Sequence, residues 1–294
     1  MTIFLQITLF GLVWGALYAL MANGLNLVYG VMKILNIGHG ELLMLGAYTT
    51  FWLFTLWGVN PILSLVASAG LLFLLGLAIQ QSVVRPIIRI SAGSIEFLER
   101  GTLIAFFGVL LFLQNGALLL WTADYRVISY LTRPISAGGL FIAPVRLIVL
   151  GVGLLLCVLT HLFLTRTRLG KSVRAISQDR EVALLMAVDA NRVGLIAFGI
   201  GSALAGIVGS LVSLIYVVTP TMGLIFTIKA FTVMVVGGLG NALGTLRAGL
   251  ALGLAESYGA YLFGESYKDV IDYAVLIGMV LLISYGWVRR PEME

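Results

Sequence analysis

The chain has 294 residues, 60% of them apolar and only 11% charged, with a mean hydropathy of +1.07. Soluble domains carry roughly 25% charged residues, so this composition excludes a water-soluble globular fold and describes a polytopic membrane protein. The net charge of +5, a lone cysteine at Cys157 and two histidines far apart in sequence exclude an intramolecular disulfide and a cysteine-based metal cluster, and give no reason to expect a nucleic-acid partner.

Taken in chain order, apolar segments fall near residues 3–29, 40–57, 61–84, 101–121, 145–164, 193–217, 224–239, 244–263 and 270–288. A helical span needs about 20 apolar residues, and no gap between these segments is large enough for a soluble core. The pattern predicts an all-α fold of about eight or nine transmembrane segments, some broken or re-entrant, forming one membrane domain over residues 1–294. The first segment starts at Ile3 with no basic stretch before it, so it is expected to be a retained helix and not a cleaved leader.

Three polar, glycine-rich runs interrupt the apolar pattern: Asn36-Ile37-Gly38-His39-Gly40-Glu41, Thr219-Pro220-Thr221-Met222-Gly223 and Gly237-Gly238-Leu239-Gly240-Asn241. Broken helices are tolerated at membrane depth only where the freed backbone groups meet protein or line a water-filled cavity. Asn36, Gly38, His39, Gly40, Glu41, Thr219, Pro220, Thr221 and Gly223 are therefore the candidate translocation-path residues. The regularly spaced Gly201, Ser202, Ala205, Gly206 and Gly209 read as a helix-packing seam. Ionisable residues within spans are costly, and here they are His39, Glu41, Lys229, Glu256 and Asp272. His39 and Glu41, two residues apart, cannot share one face of a regular helix, so a break would leave one near a path and the other in a packing contact.

The longest charged stretch, Thr165 to Arg192, carries Arg166, Arg168, Lys171, Arg174, Arg180 and Arg192 against Asp179, Glu181 and Asp189. Basic loops stay on the cytoplasmic side, which orients the chain. Alternation then puts residues 85–100 and the C-terminal Arg289 and Arg290 inside, and 124–146, 264–269 and the N-terminus outside. Arg126, Arg133 and Arg146 in the outer loop run against the rule locally. The second half of the charged stretch predicts an amphipathic helix from Glu181 to Val188, with Val182, Leu185 and Met186 at helical spacing. It could dock a soluble partner or serve as a solvated connector. Gly170-Lys171-Ser172 matches only the end of a phosphate-binding loop and follows a membrane helix, so the chain is expected to have no nucleotide site of its own and no enzymatic activity.

The run Gly24-Leu25-Asn26-Leu27-Val28-Tyr29-Gly30, continued through Asn36-Ile37-Gly38-His39-Gly40-Glu41 to Tyr48, closely resembles the signature of the branched-chain amino-acid permeases of bacterial ABC importers. That core usually reads asparagine, an apolar residue, Ala, His, Gly, Glu, so Gly38 is a small departure. Arg174 to Asp179 with Glu181 to Val188 resembles the family's ATPase-contacting loop, and Lys229-Ala230-Phe231-Thr232, Gly237 to Asn241 and Tyr267-Lys268-Asp269 are similar too.

The resemblance implies an inner-membrane subunit that pairs with a second, homologous permease, two cytoplasmic ATPases and a periplasmic substrate-binding protein. ATP and Mg would be bound by the ATPases, and this chain would hold no cofactor. It also implies that Arg174, Glu181, Val182, Ala183, Leu185, Met186 and Ala187 contact the ATPase. Where the family motif normally has a glycine, this chain has Ala187. Alanine resists positive φ, so the helix is expected to continue, or the turn to move to Asp189-Ala190-Asn191. The cargo implied is a branched-chain or similar small amino acid, with urea or short amides as the alternative within the family. A secondary transporter using Glu41 and Lys229 in an ion-coupled path is the alternative outside it.

Overall fold

The computed structural model describes residues 2–91, 94–137 and 140–285. Each of the nine expected apolar segments contains a helix, but residues 213–217 of the sixth and 238–239 of the seventh lie beyond the helix ends, and residues 286–288 of the last lie outside the described residues. The helices are α1 (Thr2–Met32), α2 (His39–Trp57), α3 (Pro61–Ile79), α4 (Arg85–Ile90), α5 (Ile95–Trp121), α6 (Pro144–Arg166), α7 (Arg168–Gln178), α8 (Arg180–Leu185), α9 (Ala190–Val212), α10 (Met222–Gly237), α11 (Ala242–Phe263) and α12 (Lys268–Ser284). A two-stranded antiparallel hairpin, β1 (Ile135–Ala137) with β2 (Leu140–Ile142), pairs Ile135 with Ile142.

Five stretches are both long and apolar enough to cross a membrane: Thr2–Met32, Pro61–Ile90, Glu96–Trp121, Pro144–Arg166 and Ala190–Val212. The other four expected segments are shorter or more polar. Helices α10 and α12 have 16 and 17 residues, α2 opens with His39 and Glu41, and α11 carries Arg247 and Glu256.

Local chemistry sets the helix boundaries. Asn60 accepts from the Ile62 N–H at 2.9 Å and Pro61 takes the first turn of α3, where its missing donor costs nothing. Gly58, at φ 62°, closes α2. Pro86 cannot donate to the helical ladder, and α3 runs into α4 through a π-helical turn at Gln80–Val84.

The described residues divide into two compact units. One contains the residues up to Asn23, Ser129–Leu162 and those from Ile228 onward; the other contains Gly24–Ile128 and Phe163–Thr227.

In the second unit α9 is the central element. A Cβ on Gly201 would meet the Gly24 carbonyl and Val28, one on Gly206 would touch Leu72 and Ser68, and one on Gly209 would overlap the Leu43 carbonyl. Ser202 stands against Gly76, and the Ser68 and Ser210 hydroxyls hydrogen-bond. The expected packing seam is therefore real, and it lets α1, α2 and α3 reach α9 at backbone distance.

In the first unit the N-terminal part of α1 meets α11 in the same way, with Gly11 against Gly253 and Gly15 against Gly249. Cys157 in α6 is packed there and is 2% exposed. A buried charge cluster ties four helices. Lys229 of α10 donates to Glu256 of α11 at 2.6 Å and to Asp272 of α12, with Asp269 at 3.4 Å. Tyr18 of α1 donates to the other Glu256 oxygen at 2.7 Å. Lys229, Glu256 and Asp272 are 6%, 2% and 2% exposed, so the attraction is little screened and each group depends on its partners. Removing the cation would strand two carboxylates. Lys229→Met is expected to cost about 3 to 5 kcal/mol, read as a lower thermal midpoint of the detergent-solubilised protein, and adding Asp272→Asn should recover part of the loss.

Candidate functional site

The first interruption is built from the end of α1. Helix α1 stops at Met32, Lys33 turns the chain with φ 55°, and residues 33–38 are non-helical. The sequence placed the break at Asn36 to Glu41. The structure moves it upstream, because His39, Gly40 and Glu41 already form the first turn of α2. Asn36, His39 and Glu41 are 1%, 0% and 0% exposed. Their depth along a span follows from α5: a Cβ on Gly38 would stand 3.5 Å from the Phe106 carbonyl and 3.7 Å from the Leu110 N, and these residues bracket the middle of α5.

The second interruption is longer than expected. Helix α9 ends at Val212 and α10 begins only at Met222, so Thr219, Pro220 and Thr221 precede the helix and Gly223 lies in its first turn. The segment between is held by paired backbone bonds of Arg126 and Val218, at 3.1 and 2.9 Å. The Arg126 guanidinium lies over Phe51 and Trp52 and donates to the Trp121 carbonyl at 2.8 Å. Within this segment Pro220 is buried and Thr221 is exposed.

The two interruptions meet at glycines. The Gly40 N–H donates to Thr227 Oγ1 at 2.9 Å, and that hydroxyl lies 3.2 Å from the Ile37 carbonyl and 3.1 Å from the Gly223 carbonyl. A Cβ on Gly40 would overlap the Gly223 carbonyl, and one on Gly223 would overlap the Glu41 carboxyl. His39 points elsewhere: its Nε2 would sit 3.2 Å from a Cβ on Gly24. The two side chains thus diverge as their spacing predicts, Glu41 toward α10 and His39 toward α1. Neither Glu41 oxygen has a hydrogen-bond partner among the described residues. The third interruption is a tight turn: Gly238 and Gly240 take φ 93° and 85°, which only glycine adopts cheaply, and Asn241 caps α11.

Thr227 was missed by the sequence reading, although a polar residue one turn after Gly223 in an apolar helix was the available signal. The partners of Lys229 are Glu256, Asp269 and Asp272.

The charged stretch 165–192 folds as three capped pieces. Thr167 caps α7, Asp179 accepts from the N–H groups of Glu181 and Val182 to cap α8, and Asp189 caps α9. The expected helix Glu181 to Val188 is shorter, Arg180–Leu185, because Ala187 turns the chain. Ala187 itself adopts φ 59°. The helix neither continues nor shifts its turn to Asn191; the N–H groups of Ala187 and Val188 donate back to the Leu184 and Ala183 carbonyls at 3.0 and 3.1 Å, and this helix-end motif places the left-handed conformation on an exposed residue that resists it by about 1 to 2 kcal/mol. Arg174 and Glu181 are exposed, and so are Val182, Leu184, Leu185 and Met186, while Ala183 is buried at 3%. Leu184 joins this exposed apolar surface without having been expected there. Lys33 links the stretch to the first interruption, since its Nζ donates to the Ser177 carbonyl at 3.3 Å and burial lowers its pKa from the usual lysine value. Gly170 packs on the Phe163 and Leu164 backbone in the first turn of α7, where its N–H donates to Thr167 Oγ1 at 2.9 Å.

The family described as branched-chain amino acid transport system / permease component matches residues 7–280. The high-affinity branched-chain amino acid transport system permease protein BraD of Pseudomonas aeruginosa is 33% identical over 306 residues, covering 99% of this chain and 97% of that protein. The corresponding LivH protein of Escherichia coli strain K12 is 30% identical over 311 residues, with 99% and 97% coverage. The LivM permease protein of the same strain is 26% identical over 310 residues, covering 94% of this chain and 67% of its own.

The glycine crossing is open to a direct test. Gly40→Ala should destabilise the protein by about 1 to 3 kcal/mol through overpacking, seen as a lower thermal midpoint, whereas Gly70→Ala, which meets nothing within 4 Å, should leave it unchanged.

Proposed function

The chain belongs to the permease-component family of branched-chain amino-acid transport systems, and from that premise we propose that it is the membrane permease subunit of an ATP-driven importer of branched-chain amino acids. The family match over residues 7–280 carries this reading. The whole of residues 1–294 acts as one permease domain in the inner membrane. Its partners are a second homologous permease, two cytoplasmic ATPases that bind ATP and Mg, and a periplasmic binding protein. The similarity to both LivH and LivM supports a paired permease. This chain moves cargo and leaves hydrolysis to the ATPases.

The path is bordered by Asn36, Gly38, His39, Gly40, Glu41, Thr219, Pro220, Thr221 and Gly223. Supporting it is the meeting of two interrupted helices beside the middle of α5, where a bilayer tolerates non-helical backbone only against protein or water. Coupling runs through Arg174, Glu181, Val182, Ala183, Leu185, Met186 and Ala187. Large apolar side chains exposed on a six-residue helix have no use in water and fit a groove on a partner. The bond from Lys33 to Ser177 offers a route by which movement of α7 and α8 reaches the first interruption.

The 165–192 stretch and the C-terminus face the cytoplasm and the N-terminus faces out, as the basic residues argue; Arg289 and Arg290 lie outside the described residues. A cysteine replacing the exposed Gln178 in a Cys157→Ala background should resist an impermeant maleimide in intact spheroplasts and react once they are lysed. Labelling in intact cells would reverse the orientation.

For coupling, Met186→Asp should weaken ATPase binding by at least about 2 kcal/mol, roughly thirtyfold, and abolish substrate-stimulated hydrolysis while the permease still inserts. Ala187→Gly should stabilise the segment by about 1 kcal/mol and retain the ATPase. Full co-purification and full stimulated hydrolysis with Met186→Asp would reduce the stretch to a topological connector.

A further inference from the structure

We propose that Arg85 and Arg89 hold the phosphate of an anionic phospholipid whose acyl chains lie along the exposed face of α3. The site is independent of the transport reading and needs only that α3 and α4 cross a membrane.

One helix face runs from α3 into α4. Leu63, Val66, Leu71 and Leu74 stand on it, each more than half exposed, and Arg85 and Arg89 continue it at the far end. So many large apolar side chains turned outward belong in hydrocarbon, and Pro61–Ile90 is long and apolar enough to cross it. From Leu63 to Arg85 the helix rises about 33 Å, against a hydrocarbon thickness of about 30 Å. Arg85 therefore stands where acyl chains end and phosphates begin, with Arg89 one turn beyond.

Charge decides which headgroup fits. Both arginines are exposed, and no salt bridge reaches either among the described residues. Helix α5, which packs on α4 where a Cβ on Gly101 would stand 3.2 Å from Ile87, carries Glu96 and Glu99 near its start. Glu96 pairs with Arg100 at 3.5 Å, and neither acid comes within salt-bridge distance of Arg85 or Arg89. The Ser82 hydroxyl one turn earlier is spent on the Ala78 carbonyl at 2.7 Å, so the two guanidiniums are the donors on offer. They lie about 6 Å apart along the axis, close enough to share the oxygens of one phosphate.

A zwitterionic headgroup brings its own ammonium, which neutralises the phosphate and repels a second cation. Phosphatidylglycerol brings the phosphate charge uncompensated. A soluble phosphate would meet the arginines but leave Leu71 and Leu74 unused. Leu74 lies about 16 Å along the helix from Arg85, the reach of an acyl chain across half a bilayer.

The test titrates the full-length protein in mild detergent with dioleoylphosphatidylglycerol, dioleoylphosphatidylcholine and the chain-free headgroup glycerophosphoglycerol. Bound lipid is read by native mass spectrometry and stabilisation by the thermal midpoint. Phosphatidylglycerol should bind at least about tenfold more tightly than phosphatidylcholine and raise the midpoint, and glycerophosphoglycerol should not compete. In the Arg85→Gln/Arg89→Gln protein that preference should vanish, with phosphatidylglycerol affinity down roughly 25-fold, about fivefold per arginine. Arg168→Gln/Arg180→Gln, which removes the same charge from exposed positions elsewhere, should keep it. A readout on the unmodified chain covers a double variant that fails to fold: phosphatidylglycerol with a photoreactive acyl chain should label residues 63–90 ahead of the other spans. Equal affinity for the two lipids, undiminished binding by the Arg85→Gln/Arg89→Gln protein, an equal loss in the control protein, competition by glycerophosphoglycerol, or labelling spread evenly over the spans would each overturn the site.

Discussion

Lipid tails are as apolar as leucine, so helices in a bilayer gain little from burying leucine on leucine and are held by how closely their backbones approach. Helix α9 shows the consequence. Its Gly201, Gly206 and Gly209 present bare backbone to Gly24, Leu72 and Leu43, and Ser202 and Ser210 use the same closeness to reach Gly76 and Ser68. At such distances dispersion acts over the full length of the contact and short side chains can hydrogen-bond between helices. The functional geometry inherits this constraint. Gly40 and Gly223 touch because neither has a side chain, and the Gly40 N–H can reach Thr227 only across that contact.

The same solvent makes unpaired charge expensive, and the chain handles its two buried acidic sites in opposite ways. Around Lys229 the carboxylates of Glu256 and Asp272 share one cation, the Tyr18 hydroxyl donates to Glu256, and four helices are tied through the cluster. That arrangement consumes its own donors and has none to spare for a ligand. At Glu41 the acceptor capacity is left open among the described residues. A protein gains nothing in stability from such a group.

The stretch between α6 and α9 combines rigidity with exposure. Three side-chain caps, Thr167, Asp179 and Asp189, fix where α7, α8 and α9 begin, which holds a six-residue helix in place that could not persist alone. Ala187 pays for the turn that follows with a left-handed backbone. Strain of this kind persists only where the surroundings over-determine it, and here it sits beside Val182, Leu185 and Met186, which are held out of the protein.

Much of this was written in the sequence. Hydropathy located the apolar helices, five of them among the described residues long and apolar enough to cross a membrane, because a bilayer imposes length and composition on any helix that crosses it. The three interruptions were visible as glycine, proline and polar runs, and the packing seam as small residues at helical spacing. The signature around Asn36 to Glu41 and the charged stretch 165–192 pointed to the family. Tertiary structure decided the rest. Which glycines face which backbone is a matter of register, and no local pattern announces that Gly40 lies against Gly223 or Gly38 beside the middle of α5. Lys229, Glu256 and Asp272 looked alike in sequence to Glu41, as costly intramembrane charges; only their positions in space show that the two carboxylates share the Lys229 cation, while Glu41 has no hydrogen-bond partner among the described residues. Ala187 is a case that residue preference misjudged at short range: alanine argued against a left-handed turn there, yet the structure closes α8 on it, because the backbone bonds from Ala187 and Val188 to the Leu184 and Ala183 carbonyls satisfy the helix end and offset a backbone preference of about 1 to 2 kcal/mol.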